Sequence, residues 1–374
     1  MKVLHIITGL NNGGAEGVLY RLVTNDEKNE HIVISLMDAG KYGPLLEENG
    51  VEVHCLSLSQ GEISVKSLIK LYKLLKEVNP DIVQTWMYHA DFIGGLIARL
   101  AGNNNVFWNI RQTELKKALS KKSTIYIAKI SSLASYLIPK MIICCANNAA
   151  EVHQNLGYDK RKLTVIHNGF ELDKFLPDET LKHLITDELS LDSSSDIIGM
   201  VGRYDPQKDH MNLMRAVEIV LKSRPKLKVI LVGKDLNTNN SELLSKIKCL
   251  DLKDSIYFLD QRSDIPAIMN SLDLHVLSSA YGEGFPNVLA EAMACGIPCV
   301  ATDVGDSALI VGETGWIVPV SDPEKLANTI LLALKEKEHK QQWTLRKQAA
   351  HRRISDSFDV TTMVESYNNI WKNN

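Results

Sequence analysis

The sequence predicts an α/β protein made of two doubly wound domains, and three observations carry that expectation. At 374 residues the chain is too long for one ordinary hydrophobic core. Short apolar runs of strand length alternate with longer amphipathic stretches of helical period, the rhythm of parallel sheets covered on both faces. That rhythm is interrupted once, by a polar stretch near the middle, and then restarts.

In the first half, residues 3–8, 32–36, 51–56, 81–85, 106–110 and 141–144 read as buried strands. Residues 65–78, 92–101 and 125–137 read as helices between them. In the second half the strand runs are 197–201, 227–232, 256–259, 274–277, 299–301 and 316–318. The interruption holds Pro177 and the run Ser193-Ser194-Ser195, which predicts a first domain over 1–170, a linker over 171–195 and a second domain over 196–355. Residues 342–354 and 360–371 have helical patterns, and the C-terminal segment 356–374 is expected to pack back on the first domain. Domains of this kind bind ligands where loops leave the carboxyl ends of their strands. Two of them are expected to face each other across a cleft.

Composition is that of an average globular protein, 45% hydrophobic and 23% charged. No stretch approaches the roughly 20 apolar residues that span a bilayer. The apolar run at the N-terminus stops at Gly9, too short for a signal peptide, so a cytoplasmic protein is expected. The six cysteines show no CxxC spacing, which favours buried free thiols over zinc or disulfides. No metal site and no nucleic-acid partner is expected.

Charge is unevenly spread. Residues 1–170 hold 19 Lys and Arg against 15 Asp and Glu, while the remainder is acidic. From Arg111 to Lys140 there are seven basic residues and one acid, Glu114. Leu115, Leu119, Ile125, Tyr126, Ile127, Ile130, Leu133 and Leu137 are interleaved with them. Such a segment suits the surface of an anionic membrane, and it equally suits a solvated helix whose apolar side faces the core.

The strongest local pattern runs from Tyr281 to Glu291, a glycine-containing turn between a strand and a helix. Pro286 suits a first helical turn, and the free N–H groups there favour an anion such as a diphosphate. Glu283 and Glu291, eight residues apart, are placed to accept hydrogen bonds from sugar or ribose hydroxyls; the alternative is a helix cap and a surface residue. Arg203 and Lys208 follow strand 197–201 and supply cations on the same side of the sheet, unless they are ordinary surface charges. Gly13 and Gly14 follow the first strand, where they allow either close approach of a phosphate or a plain tight turn. In the first half, His89 follows strand 81–85 as a hydroxyl ligand or a helix cap, and Arg111 and Gln112 follow strand 106–110. His5, His31 and His54 fall in strands as packed or edge residues, and His210 reads as a neighbour of a helix cap.

Taken together, these residues resemble the retaining glycosyltransferases of family 4, which have the GT-B fold of two Rossmann-like domains. The resemblance rests on Glu283 and Glu291 within EGFPNVLAEAMACGIPCVATDVG, on Gly13-Gly14-Ala15-Glu16, and on Val165-Ile166-His167-Asn168-Gly169. Val201-Gly202-Arg203 with Lys208, Asp264-Ile265-Pro266 and Thr314-Gly315-Trp316 extend it in matching order over nearly the whole chain. It implies that Arg203 and Lys208 contact a donor diphosphate, that Glu291 holds the nucleotide ribose, and that Glu283 meets the transferred sugar. Gly13, Gly14, Gly284, Phe285, Pro286 and Asn287 complete the implied donor site, and His89, Arg111 and Gln112 the implied acceptor site. Many family members carry a histidine near the place of Arg111, and arginine cannot act as a base there. The implied reaction is retaining, metal-independent transfer of a hexosyl or N-acetylhexosaminyl group, with no cofactor. The donor is expected to be a UDP-sugar ahead of a GDP-sugar. The acceptor is expected to be a glycan or a polyprenyl-diphosphate-linked glycan of surface polysaccharide synthesis, on the inner face of the membrane. A nucleotide-sugar epimerase, a sugar phosphorylase or a non-catalytic nucleotide-binding partner would share the architecture.

Overall fold

Strands rich in Val and Ile, the central ones buried on both faces, pair in parallel throughout the computed structural model, which describes residues 1–58, 64–112 and 122–373. The chain forms two units, Met1–Gly169 with Val360–Asn374, and Phe170–Asp359.

In the first unit the strands are β1 (Lys2–Ile7), β2 (Glu30–Ser35), β3 (Glu52–Cys55), β4 (Ile82–Trp86), β5 (Val106–Ile110), β6 (Met141–Cys144) and β7 (Leu163–Val165). Their helices are α1 (Gly14–Thr24), α2 (Tyr42–Glu48), α3 (Val65–Val78), α4 (Gly95–Leu100), α5 (Lys122–Ala134) and α6 (Asn147–Leu156). The sheet order is β3-β2-β1-β4-β5-β6-β7. One core cluster joins Leu71 and Leu75 of α3 to Leu4, Ile6 and Trp108, and another joins Val18, Leu19 and Leu22 of α1 to Val3, Ile7 and Phe107. The helix expected over 92–101 begins earlier and differently, with a π-helical turn at Ala90–Gly94 before α4. Met87, just ahead of it, has φ of 71°. A π-turn is a local distortion that side-chain periodicity does not encode.

In the second unit the helices are α7 (Glu179–Glu188), α8 (His210–Leu221), α9 (Ser241–Cys249), α10 (Ile265–Ser271), α11 (Asn287–Ala294), α12 (Ser307–Val311), α13 (Pro323–Lys337) and α14 (Lys340–Ser357). The strands are β8 (Ile197–Val201), β9 (Lys228–Val232), β10 (Ile256–Phe258), β11 (Leu274–Leu277), β12 (Cys299–Thr302) and β13 (Trp316–Val318), ordered β10-β9-β8-β11-β12-β13.

The stretch expected as a linker is built into this unit. Asp178 caps α7 by accepting from Thr180 N at 2.8 Å, and its own N–H donates to Asn270 Oδ1 of α10 at 2.8 Å. Ile185 of α7 is 1% exposed, a burial that contributes about 1.5–3 kcal/mol. The polar composition of 171–195 reflects the solvated side of α7, which hides a short apolar stripe. Phe170 already belongs to the second unit, its N–H donating to Phe358 O at 2.9 Å. The last helix, α15 (Val360–Asn373), clusters with the first unit, whereas residues 356–359 stay with the second. Cys144, Cys145, Cys295 and Cys299 are buried free thiols, but Cys55 is half-buried and Cys249 exposed, against the expectation for all six.

Candidate active site

In each sheet one pair of neighbouring strands marks the point where strand order reverses: β1 and β4 in the first unit, β8 and β11 in the second. Loops leaving the carboxyl ends of such a pair diverge and open a crevice. The candidate residues sit on those loops. Gly13 and Gly14 follow β1, His89 follows β4, Arg203 and Lys208 follow β8, and Glu283 follows β11.

The second unit's site is organised around Glu283, which is 7% exposed. Lys208 Nζ donates to Glu283 Oε1 at 2.6 Å, and Ser279 Oγ donates to the same oxygen at 2.6 Å. Glu283 lies four residues ahead of α11 in this paired loop, so it is not the helix's cap. The loops bearing the pair are fastened to each other. Ser278 Oγ donates to Lys208 O at 3.0 Å, and Ala280 N to Gln207 O at 2.8 Å. Thr302 Oγ1 of β12 donates to Ser279 O at 2.6 Å, fixing the serine that orients the carboxylate. Gly305, with φ of 60°, packs so closely under the carbonyls of Glu283 and Gly284 that a Cβ there would collide with them.

Arg203 is not drawn into this pair. Its Nε donates to Asp205 Oδ2 at 3.1 Å and its Nη2 to Gln207 Oε1 at 3.2 Å, leaving the side chain 56% exposed. Two cations expected to act together are therefore separate: Lys208 already neutralises a buried carboxylate, and Arg203 stands at the surface beside it.

The remaining residues expected at the donor site divide by environment. The Phe285 ring stacks on Phe170 at 6.0 Å and meets Phe358 edge-on at 5.2 Å, so its side chain belongs to the core. Pro286 is the residue before α11, not a member of its first turn, and the helix starts at Asn287. The spacing of Glu283 and Glu291 is thus only partly helical, with Glu291 half-buried in α11. Gly284 accepts at its carbonyl from Asp306 N at 2.9 Å. His210, expected as a cap neighbour, is the first residue of α8 and buried. Burial and then the charge of Lys208 bring its pKa down to about 4.

In the first unit, Gly13 precedes α1 in extended backbone, and a Cβ there would collide with the Glu16 carboxylate. An anion reaching the Gly13 amide meets that carboxylate, whose pKa is raised by burial against the lowering effects of its own backbone N–H and Arg111. Arg111 donates through Nη2 to Asn168 Oδ1 and lies over the Trp86 ring, 5.9 Å from its centroid. Its Nη1 is buried without a hydrogen-bond partner among the described residues. His89 is half-buried, and burial lowers its pKa. Gln112 is exposed and ends the described segment; Lys116, Lys117 and Lys121 lie outside the described residues, as does the side chain of Lys122.

Sequence reasoning missed Ser279, Thr302, Glu16 and Asn168 as parts of these sites. Two of them, Glu16 and Asn168, sit inside stretches that carried the resemblance, but a role emerges only from their neighbours in space. The histidines expected as packed residues do more than fill space. His5 Nε2 meets His31 Nδ1 at 2.9 Å, His31 Nε2 meets Asp26 Oδ2 at 3.2 Å, and Trp86 Nε1 donates to His5 Nδ1 at 3.2 Å. His54 is half-buried and pairs with Glu52 at 2.8 Å.

Residues 182–352 match the family described as glycosyl transferases group 1, and residues 12–174 match glycosyltransferase family 4. The chain is 30% identical over 283 residues to the UDP-Gal:alpha-D-GlcNAc-diphosphoundecaprenol alpha-1,3-galactosyltransferase of Escherichia coli, covering 73% of this chain and 71% of that protein. This chain belongs to glycosyltransferase family 4. The transferase is also 25% identical to the N,N'-diacetylbacillosaminyl-diphospho-undecaprenol alpha-1,3-N-acetylgalactosaminyltransferase of Campylobacter jejuni, over 79% of each. Its fold is similar to that of HepE from Anabaena, solved with UDP, at a TM-score of 0.87 and 22% identity over the whole of both chains. The two parallel-sheet domains are thus those of the GT-B fold. Among the described residues, no helix of the transferase is long and apolar enough to cross a membrane.

Proposed function

We propose that this transferase moves a hexosyl or N-acetylhexosaminyl group from a UDP-sugar to a polyprenyl-diphosphate-linked glycan, with retention of anomeric configuration and without a divalent ion. The observation that carries this reading is the buried Lys208–Glu283 pair at the β8–β11 switch point, with Arg203 exposed beside it. An anionic diphosphate finds its countercharge chiefly in Arg203, Lys208 adds a hydrogen-bond donor while sharing its charge with Glu283, and Glu283 in turn accepts from a sugar hydroxyl. With Oε1 held by Lys208 and Ser279, Glu283 is a poor nucleophile. In this reading the acceptor oxygen bonds to the anomeric carbon as the bond to the leaving diphosphate breaks. The acceptor proton passes to the departing phosphate oxygen on the same face. Catalysis then rests on positioning and on stabilising the diphosphate charge.

The acceptor class is supported by the names of the two bacterial relatives, both of which act on undecaprenyl-diphosphate-linked sugars. Arg111, with Asn168 and Trp86 around it, is proposed to take an anionic group of that acceptor, and His89 one of its hydroxyls. A place of work at the membrane is supported by helix α5 and the turn after it. Ala128 faces the core, but Tyr126, Leu133, Tyr136 and Leu137 are exposed, the two leucines by 76% and 78%. Lys129 and Lys140 are exposed with them. A cluster of large apolar side chains flanked by cations fits peripheral contact with an anionic bilayer, at the inner face where lipid-linked acceptors are built.

The test is a screen of UDP- and GDP-sugars against synthetic polyprenyl-diphosphate-linked acceptors, with and without EDTA, reading the anomeric configuration of the product by NMR. An α-linked product from a UDP-α-sugar, formed in EDTA, is expected. Isomerisation of the sugar nucleotide without acceptor, or phosphate-dependent cleavage of a disaccharide, would overturn the reading.

A further inference from the structure

The C-terminal helix contributes three buried polar side chains to the first unit, and one of them lies against the residues around Arg111. Asn368 Nδ2 donates to Asp26 Oδ2 at 3.1 Å, and Trp371 Nε1 donates to Gln84 Oε1 at 3.1 Å. The third, Tyr367, is completely buried. Asn109 Nδ2 donates to its hydroxyl at 2.5 Å, and its ring stacks on Trp86 at 6.0 Å and 23°. Trp86 is the residue over which the Arg111 guanidinium lies. Asn109 lies near the end of β5, two residues before Arg111, which follows the strand directly. Tyr367 therefore touches both supports of Arg111, the indole beside it and the strand end below it.

We propose that Tyr367 is a positioning residue that holds Trp86 and Asn109 so that Arg111 meets the acceptor in one fixed orientation. The proposal rests on the acceptor reading of Arg111 given above. Its physical basis is that a long guanidinium side chain loses rotamer freedom on binding, and a preformed support removes part of that cost. Asp91 reinforces the same strand end, one of its carboxylate oxygens accepting from Thr85 Oγ1 at 2.6 Å and from Asn109 N at 3.3 Å. Close burial beside Arg111 and Asn109 also shapes the phenol itself: burial pushes its pKa up to about 12 against the opposing influence of both neighbours. Tyr367 is thus a neutral hydroxyl at any working pH, able to act only by packing and hydrogen bonding.

The experiment compares Tyr367→Phe, which keeps the ring and removes the hydroxyl, with Trp371→Phe, which removes a different buried bond of the same helix. Acceptor KM, kcat, UDP affinity and Tm are measured for each, and for Arg111→Ala alone and combined with Tyr367→Phe. Tyr367→Phe is expected to lower kcat/KM for the acceptor by about 10-fold with UDP affinity unchanged. Trp371→Phe is expected to lower Tm comparably while sparing acceptor kinetics. The double variant is expected to be no worse than Arg111→Ala, because the hydroxyl acts through the arginine. Unchanged acceptor kinetics in Tyr367→Phe, an equal loss in Trp371→Phe, or additive losses in the double variant would each overturn the proposal. An Arg111→Ala enzyme with normal acceptor kinetics would remove the acceptor reading itself and the proposal with it. A defective Arg111→Ala beside a normal Tyr367→Phe would remove the proposal alone.

Discussion

Lys208 and Glu283, 75 residues apart in the chain, meet at 2.6 Å with side chains only 12% and 8% exposed. Two charges so placed lose most of their hydration, and each depends on the other. Removing one partner of a buried pair typically costs about 3–5 kcal/mol, because the survivor is left uncompensated. Lys208→Ala is therefore expected to destabilise the second unit strongly in urea unfolding, with Ser279 too weak a donor to compensate. Adding Glu283→Gln to it should recover much of that loss. Additive destabilisation in the double variant would show that the pair is not coupled.

Glu283→Gln alone tests catalysis. The amide still accepts a hydrogen bond but no longer carries charge to balance Lys208 or to grip a sugar hydroxyl. Turnover is expected to fall by roughly 10²-fold, the usual cost of one preorganised polar contact. Nucleoside diphosphate affinity should not fall, because Arg203 is untouched and the substitution removes a negative charge from beside the diphosphate. Near-normal turnover would show that Glu283 only anchors the loop.

Arg203 is the cleaner probe of the donor diphosphate, since its exposed side chain can be removed without a buried partner being stranded. Arg203→Ala should weaken nucleoside diphosphate binding by about 1.5–3 kcal/mol, the range for a charge-assisted hydrogen bond. Affinity for the free nucleoside and Tm should stay as in the unaltered protein. Calorimetric titration with UDP and with uridine distinguishes the two contributions.

His275 in β11 is fully buried with neither ring nitrogen hydrogen-bonded among the described residues. Burial, and then the nearby charge of Lys208, hold its pKa down at about 3. An unfolded histidine takes up a proton near pH 6.5. Between about 6.5 and 3 the unfolded state thus binds a proton that the folded state refuses, so stability falls as pH falls through that window. His275→Leu should flatten this slope and raise stability at pH 7 by about 1–3 kcal/mol, the cost of burying unsatisfied polar groups. Urea unfolding at pH 7 and pH 5 reads both effects; a parallel pH slope in the variant would contradict the assignment.

The exposed face of α5 predicts reversible binding to vesicles containing anionic lipid, weak binding to neutral vesicles, and release on the order of 0.5 M salt. Leu133→Glu with Leu137→Glu should lower co-sedimentation at least roughly 10-fold, as both apolar insertion and charge attraction are lost. UDP affinity should not change. Equal sedimentation with anionic and neutral vesicles would leave the exposed leucines without this role.

Much of the architecture was legible because it depends on local pattern. The strands of both sheets alternate with helices at spacings that hydrophobic periodicity reports directly, and β5, β6, β8, β11 and β13 fall at the expected residues. Where composition misled, as at α7, the solvated side of a short amphipathic helix outweighed its buried stripe around Ile185. The π-helical turn at Ala90–Gly94 left no periodic trace at all.

The sequence by itself determined the fold class and the strands from whose ends the candidate loops leave, since strand and turn signals lie within a few residues of each other. Tertiary structure alone decided the partners. It gave Lys208 to Glu283 and left Arg203 with Asp205 and Gln207. It turned the Phe285 ring into the core and brought Tyr367 from the end of the chain to Asn109. The physical reason is that a charge or hydroxyl takes its value from whatever surrounds it within a few ångströms, and in a parallel sheet those neighbours come from strands far apart in sequence.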